Sequence, residues 1–113
     1  MKEHLPLPDE KKLVVVCRVE AGCLGSKGAD YIDAFCEFAQ KEYTAIESDY
    51  IIWQIIPRRD KSMPEMQYRI NNKNISRDQA SKYLEVFEKR LGHFEDQMHE
   101  KLGFLIEQHL GRT

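Results

Sequence analysis

The last third of the chain carries an apolar pattern that constrains the fold more than any other segment. From Ser76 to Leu110, apolar residues recur at steps of three and four, which predicts one long amphipathic helix. Ser76 and Gln79 have the spacing of a capping box, and Gly111 follows the last turn. At ~1.5 Å per residue this helix is ~50 Å long, whereas a compact chain of this size is about 35 Å across. The helix must therefore bend back or meet another chain.

The apolar stripe of this helix changes direction in its distal half. It keeps a heptad rhythm up to Met98, after which Leu102 takes the place that a strict heptad would give to Lys101. Gly92 and Gly103 each cost about 1 kcal/mol inside a helix, so they are the expected bend points. We predict that the proximal half covers the domain's own sheet and that the distal half forms a homodimer interface. The predicted interface residues are Met98, Leu102, Leu105, Ile106 and Leu110.

The composition is that of one globular domain. The chain has 113 residues, of which 42% are hydrophobic and 32% charged, enough for a single core. Three cysteines without a close CxxC pair argue against disulfides and for a reducing compartment. Residues 1–12 are charged and contain prolines, which predicts a flexible N-terminal arm before a single α+β domain at 13–113. The apolar runs are too short to span a membrane, so we predict a cytoplasmic protein.

The remaining segments predict three strands and a second helix. Leu13–Val19 is rich in β-branched residues and indicates a strand buried on both faces. A helix is predicted over 29–46, a strand at Tyr50–Ile56 and an alternating strand at Glu65–Ile70. A turn with a brief extended stretch at Ile75 precedes the long helix. The predicted order is therefore βαββα, with a three-stranded, mostly antiparallel sheet covered by two helices.

This order resembles half of a ferredoxin-like fold, a split βαβ pattern that lacks its final strand. The resemblance is one of topology and not of any sequence motif. A right-handed crossover makes the first two strands parallel, which brings the loops that follow them to the same end of the sheet. The missing strand leaves a sheet edge exposed, and since such edges are usually paired or covered, this also favours a homodimer.

The two loops at that shared end are the predicted site for a small anionic or phosphorylated ligand. Glycines let the backbone approach a ligand, a helix start favours anions, and cations pair with phosphate or carboxylate. The glycine spacing matches neither the P-loop nor the dinucleotide fingerprint. The alternative is that the glycines shape a tight loop and the cations pair with nearby acids, namely Glu20, Asp30 and Asp60. The predicted ligand-binding residues are Gly22, Cys23, Gly25 and Lys27 of the Gly22–Gly28 loop, and Arg58, Arg59 and Lys61 of the Arg58–Lys61 loop.

Two features of the sequence point to side-chain chemistry, and each also has a simpler structural explanation. A thiol beside a helix start can have a lowered pKa, which makes Cys23 a candidate nucleophile, whereas Cys17 and Cys36 are expected in the core. On the long helix Asp96 and His99 have the spacing of bundle metal sites, close to His93 and Glu100. No partner helix supplies further carboxylates, so no metal and no cofactor is predicted.

Charge is unevenly distributed along the chain. Residues 53–77 carry six basic and two acidic groups, in a chain whose net charge is −2. An exposed Trp53 or Tyr68 within this segment can stack on a base, which gives nucleic-acid binding through the basic 58–77 segment as one alternative. The negative total argues against it.

No catalytic arrangement stands out, so the sequence favours a small homo-oligomeric binding or assembly module over an enzyme. Binding of a small anion at the two loops is the alternative, with or without thiol chemistry at Cys23.

Overall fold

The computed structural model describes residues 5–111, where four strands and three helices follow one another. Two short 3₁₀ turns, Asp9–Lys11 and Ala21–Leu24, precede the first strand and the first helix. The strands are β1 (Leu13–Val19), β2 (Ile51–Pro57), β3 (Met66–Ile70) and β4 (Lys73–Ile75). The helices are α1 (Gly28–Tyr43), α2 (Arg77–Val86) and α3 (Leu91–His109).

The sheet is mixed and has the strand order β2-β1-β3-β4. β1 pairs in parallel with β2 and antiparallel with β3, and β3 pairs antiparallel with β4. The predicted α+β class is confirmed, as is the parallel pairing of the first two strands; the arrangement is compatible with a ferredoxin-like fold. The prediction of three strands was wrong, because the chain turns at Asn71 and Asn72 and returns as β4. Both asparagines have positive φ, 51° and 66°, as a tight two-residue hairpin requires.

One face of the sheet carries the hydrophobic core, and all three helices pack on it. Alternate residues of each strand point to this face, as the two-residue period of a strand requires. Trp53 at the centre of the core lies between the rings of Tyr43 and Phe94. The strand residues in the core are Leu13, Val15, Cys17, Val19, Ile51, Trp53, Ile55 and Tyr68.

The prediction of one helix from Ser76 to Leu110 was wrong. The capping box at Ser76 and Gln79 is present, with both reciprocal hydrogen bonds, but α2 ends after three turns. Glu88 adopts a left-handed conformation with φ 62°. The amide of Lys89 then donates to the carbonyl of Leu84 at 3.0 Å, which completes a Schellman motif. This break, and not Gly92 or Gly103, redirects the chain, so that α3 packs back on its own domain.

The outer edge of β2 is covered by a side chain from α1. The Gln40 amide donates from Nε2 to the Trp53 carbonyl at 2.8 Å, and its Oε1 accepts from the Ile55 amide at 2.8 Å. Next to it, the Ile51 amide donates to the Glu47 carbonyl at 2.9 Å, and Pro57 has no N–H. These contacts occupy three backbone groups of the β2 edge, at Ile51, Trp53 and Ile55, so that a second copy cannot pair with these groups.

Part of the predicted arm lies against the domain. Leu7 is buried in the core, and its amide donates to the Asp49 carbonyl at 2.8 Å. Residues 1–4, which include His4, lie outside the described residues, and the flexibility of 1–12 stays a prediction. Within residues 5–111, no helix combines the length and the apolar composition that crossing a membrane needs.

Candidate functional site

The two loops predicted to meet do lie together at one end of the sheet. β1 and β2 are parallel, and the Arg58 amide donates to the Val19 carbonyl at 2.9 Å just beyond their last paired residues. Arg58 also forms an ion pair with Glu20 at 2.5 Å. The predicted proximity of these two loops is therefore confirmed.

The arginines of this loop pair are engaged within the chain. Arg58 donates from Nε to the Met63 carbonyl at 3.0 Å, from Nη2 to the Lys61 carbonyl at 3.1 Å, and from Nη1 to Glu20. Arg59 forms an ion pair with Asp33 of α1. The alternative to anion binding was that the loop cations pair with Glu20, Asp30 and Asp60. Arg58 does pair with Glu20, whereas Arg59 pairs with Asp33 and not with Asp30 or Asp60. Of the four cations in these two loops, Lys27 and Lys61 form no ion pair among residues 5–111. Anion binding at these loops stays a prediction.

Two glycines of the first loop have conformational roles. A Cβ at Gly28 would lie 1.8 Å from the Ala21 carbonyl oxygen, so only glycine fits where α1 begins against the 3₁₀ turn. Gly25 has φ 92°, a conformation that side chains disfavour. A Cβ at Gly22 would have no neighbour within 4 Å. Close packing explains the glycine at position 28, and a positive φ explains the glycine at position 25, without a bound ligand in either case.

The three cysteines divide as expected, with Cys17 and Cys36 buried and Cys23 exposed. Burial raises the pKa of the Cys17 thiol from 9.0 to about 12 and that of Cys36 to about 11, which keeps both protonated. Cys23 and His99 line one small cavity of about 80 Å³. The sequence offered no signal for this proximity, because the two residues belong to distant segments.

No metal site is formed within residues 5–111, where no group of three or more histidine, cysteine or acidic side chains converges. Side chains at His93, Asp96, His99 and Glu100 are at least partly exposed on α3 and do not form one.

The distal helix covers its own domain instead of presenting a free apolar stripe. Met98 and Leu105 are 3% and 1% exposed, so neither is available to a second copy in this conformation. Leu102 and Ile106 pack against the same core, and Leu110 is half-buried. The physical reason is the break at Glu88, which turns the stripe of α3 toward the sheet.

The aromatic residues of the basic segment are also buried. Trp53 and Tyr68 are 4% and 5% exposed and face the helices. Tyr68 donates its hydroxyl to Glu95 of α3, and burial together with that hydrogen bond raises the pKa of Tyr68 well above its usual range. Neither ring is available to stack on a base.

A cleft of about 510 Å³ lies between α1, β2 and α3. Its floor is apolar and its rim is charged. The floor is made by Tyr43, Ile46, Trp53, Phe94 and Met98. The rim is made by Glu47, Glu88, Lys89, Arg90, His93, Gln97 and Lys101.

Hydrogen bonds and ring contacts hold the floor of this cleft in place. The Trp53 indole N–H donates to the Ile46 carbonyl at 2.8 Å, and its ring stacks on Phe94 with centroids 5.5 Å apart. The Tyr43 hydroxyl donates to the Met98 carbonyl at 2.6 Å, and burial raises the pKa of Tyr43 well above its usual range, so it remains a donor. The floor is therefore rigid and largely pre-formed, as ligand cavities usually are.

Two turns with unusual backbone form one lip of the cleft. Glu47 and Glu88 have positive φ, 51° and 62°, although neither is glycine or asparagine. The Glu47 carboxylate joins the two turns, since it accepts from the Tyr50 hydroxyl at 2.5 Å and lies 3.7 Å from the Lys89 ammonium. Such backbone costs of order 1–3 kcal/mol per residue and clusters at functional sites.

The cations on the rim are not all neutralised. Lys89 pairs with Glu47, but no carboxylate among residues 5–111 lies within ion-pair distance of Arg90 or Lys101. Lys101 lies over the Tyr43 ring at 5.9 Å from its centroid. The rim thus has three cations against the carboxylates of Glu47 and Glu88, a small excess of positive charge above an apolar floor.

No protein family, curated protein or solved structure matches this chain significantly. The cleft was missed by the sequence reasoning, because its lining comes from three separated elements. The aromatic residues Tyr43, Trp53 and Phe94 belong to the core, and no spacing in the chain distinguishes a core residue from a cavity floor.

Proposed function

We propose that this chain is a binding module for a small organic anion with an apolar body, held in the cleft between α1 and α3. The observation that carries the proposal is the combination of a rigid apolar floor with Arg90 and Lys101, which have no acidic partner among the described residues. An apolar body can pack against the accessible part of this floor, and an acidic group can pair with the rim cations. The largest apolar cavity with a few convergent polar groups is the expected place for a ligand.

Trp53 provides the measurement, because it is the chain's one tryptophan and forms part of the cleft floor. Anilinonaphthalene sulfonate, an aromatic anion, should quench Trp53 emission saturably. The double variant Arg90→Ala/Lys101→Ala should weaken this binding about tenfold or more, because charge-assisted hydrogen bonds contribute roughly 1.5–3 kcal/mol. Circular dichroism would verify that the variant is folded.

The matched control is Arg59→Ala/Lys61→Ala, which removes the same charge from the exposed loop predicted from the sequence. Its binding should equal that of the parent. Quenching that never saturates would overturn the proposal. A loss of affinity in the loop variant alone would also overturn it, because the anion would then bind at the glycine and arginine loops.

We infer self-association as a second function, through the outer surface of α1 and α3. Three aromatic side chains there are strongly exposed: Tyr31, Phe38 and Phe104, at 48%, 43% and 54%. Phe38 lines a shallow hollow with Gln108, one turn beyond Phe104, and exposed aromatic clusters favour association. Sedimentation should show a dimer that Phe38→Glu/Phe104→Glu converts to a monomer. A parent that stays monomeric at its highest soluble concentration would exclude this route.

A further inference from the structure

No helix of the described residues packs on the sheet face opposite the core, which we call the open face, although Val16 at its centre is fully buried. Every strand residue of the core cluster belongs to the other face, and the helices contribute to that one cluster. On the open face, Val16 of β1 lies in register between Gln54 of β2 and Gln67 of β3. The open-face residues of β1, β2 and β3 are Val14, Val16, Arg18, Ile52, Gln54, Ile56, Gln67 and Arg69.

Two arginines converge on one neutral oxygen in the middle of this face. Arg18 donates from Nη2 to Oε1 of Gln67 at 2.9 Å and from Nη1 to the Pro64 carbonyl at 2.9 Å. Arg69 reaches the same Gln67 oxygen from Nη2 at 3.5 Å, and its Nε donates to Asn74 at 3.0 Å. The two positive groups are therefore neighbours that share an uncharged acceptor.

Neither guanidinium has a carboxylate partner within ion-pair distance among residues 5–111. Arg18 is only 8% exposed, the one charged side chain of the described chain that is buried. Its field helps to lower the pKa of the exposed Asp60, but this effect is smaller than that of the Ser62 hydrogen bonds to the same carboxylate. A buried cation without an anion is costly, and a second cation beside it adds repulsion.

We propose that Arg18 and Arg69 form a binding site for the phosphate group of a small organic phosphate, on the open face of the sheet. A guanidinium has five N–H donors, and two in each arginine are engaged by protein atoms, so donors remain for phosphate oxygens. Ile56, which lies in register beside Arg18, and Ile52 provide an apolar strip for the organic part. This site is independent of the cleft, because the sheet separates the two.

A small phosphate fits this surface better than a nucleic acid. The rings that would stack on bases, Trp53 and Tyr68, are buried on the opposite face. The chain also carries a net charge of −2, which disfavours long polyanions.

The test is an NMR titration of the full chain with phenyl phosphate. Saturable amide shifts should centre on Arg18, Gln67 and Arg69. Arg69→Gln, at a partly exposed position, should weaken the affinity about tenfold or more. Arg77→Gln removes the same charge from an arginine that pairs with Glu95, and it should bind as the parent does.

Benzyl alcohol and a short oligothymidylate are the comparison ligands. Benzyl alcohol should produce no saturable shift at this face. Absence of saturable shifts with phenyl phosphate would overturn the site, as would equal weakening by Arg77→Gln. Tighter binding of the oligonucleotide per phosphate would overturn the assignment to small phosphates.

Discussion

Replacing Gly28 with alanine should destabilise the protein by about 3 kcal/mol or more. The added Cβ would lie 1.8 Å from the carbonyl oxygen of Ala21 and 2.7 Å from its carbon. Both are backbone atoms of the Ala21–Leu24 turn, and the Leu24 Cβ at 3.2 Å blocks movement on another side. Either the turn or the first residues of α1 must therefore move, and the hydrogen bond from the Gly28 amide to the Gly25 carbonyl moves with them.

Urea denaturation of three alanine variants would measure this effect. Gly22→Ala is the matched control in the same loop, since its Cβ would meet nothing within 4 Å, and it should lie within about 0.5 kcal/mol of the parent. Gly103→Ala, in the interior of α3 with equally open surroundings, should stabilise by about 1 kcal/mol. Equal stability of the Gly28 and Gly22 variants would show that the close approach to Ala21 does not limit the fold.

The elements that could be predicted are those whose pattern is local. The strand at Leu13–Val19 has the predicted bounds, and its parallel pairing with β2 follows from the handedness of a βαβ unit. The capping box at Ser76 is equally local, because Ser76 and Gln79, three positions apart, contain all of its hydrogen-bonding groups. Such signals do not depend on the rest of the chain.

The break after α2 could not be predicted in the same way. A Schellman motif usually has glycine at the left-handed position, and here that position holds Glu88. Tertiary contacts stabilise the turn, above all the stacking of Phe87 on Tyr50 with centroids 4.1 Å apart. The hairpin at Asn71 and Asn72 was missed for another reason. Asparagine tolerates positive φ, so a turn was expected there, but a strand of only three residues is too short to show an alternating pattern.

In the candidate sites, too, some features follow from local sequence signals and others depend on tertiary contacts. The meeting of the two loops follows from strand direction, whereas the pairing of Arg59 with Asp33 depends on side-chain positions that no spacing encodes. Arg18 and Arg69 belong to strands that are far apart in the chain, and only the register of β1 with β3 brings them to one face. The alternation of polar and apolar residues in β3 predicts that Arg69 lies on the solvent face. The almost uniformly apolar sequence of β1 does not predict that Arg18 lies on that same face.

Replacing Gln40 with alanine should make the protein associate through its sheet edge. In a parallel pair, one residue of a neighbouring strand donates to one carbonyl and accepts from the amide two residues further along. The Gln40 side chain makes the same two bonds, to the Trp53 carbonyl and from the Ile55 amide. The Gln40 side chain therefore takes the place of a fifth strand. Its removal leaves the Trp53 carbonyl and the Ile55 amide free to pair with a strand of a second chain.

The expected loss of stability is about 2 kcal/mol, since the two hydrogen bonds to β2 contribute about 1 kcal/mol each, and the third, to the exposed Thr44 hydroxyl, competes with water. Sedimentation velocity should show larger species for Gln40→Ala than for the parent at equal concentration. Gln97→Ala removes the same amide from an exposed position on α3, at the rim of the cleft and not at the proposed association surface, and should sediment as the parent does.

Gln40→Glu separates the loss of stability from the exposure of the edge. A glutamate at this position can accept from the Ile55 amide but cannot donate to the Trp53 carbonyl, so it should lose stability as alanine does. Its charge at the edge opposes pairing with a second strand, so this variant should not associate. Hydrogen exchange at Ile55 gives a local readout, because its amide should be protected in the parent and exchange faster in Gln40→Ala wherever the chain is monomeric. If Gln40→Ala sediments as the parent does and Ile55 keeps its protection, the Gln40 amide does not close this edge.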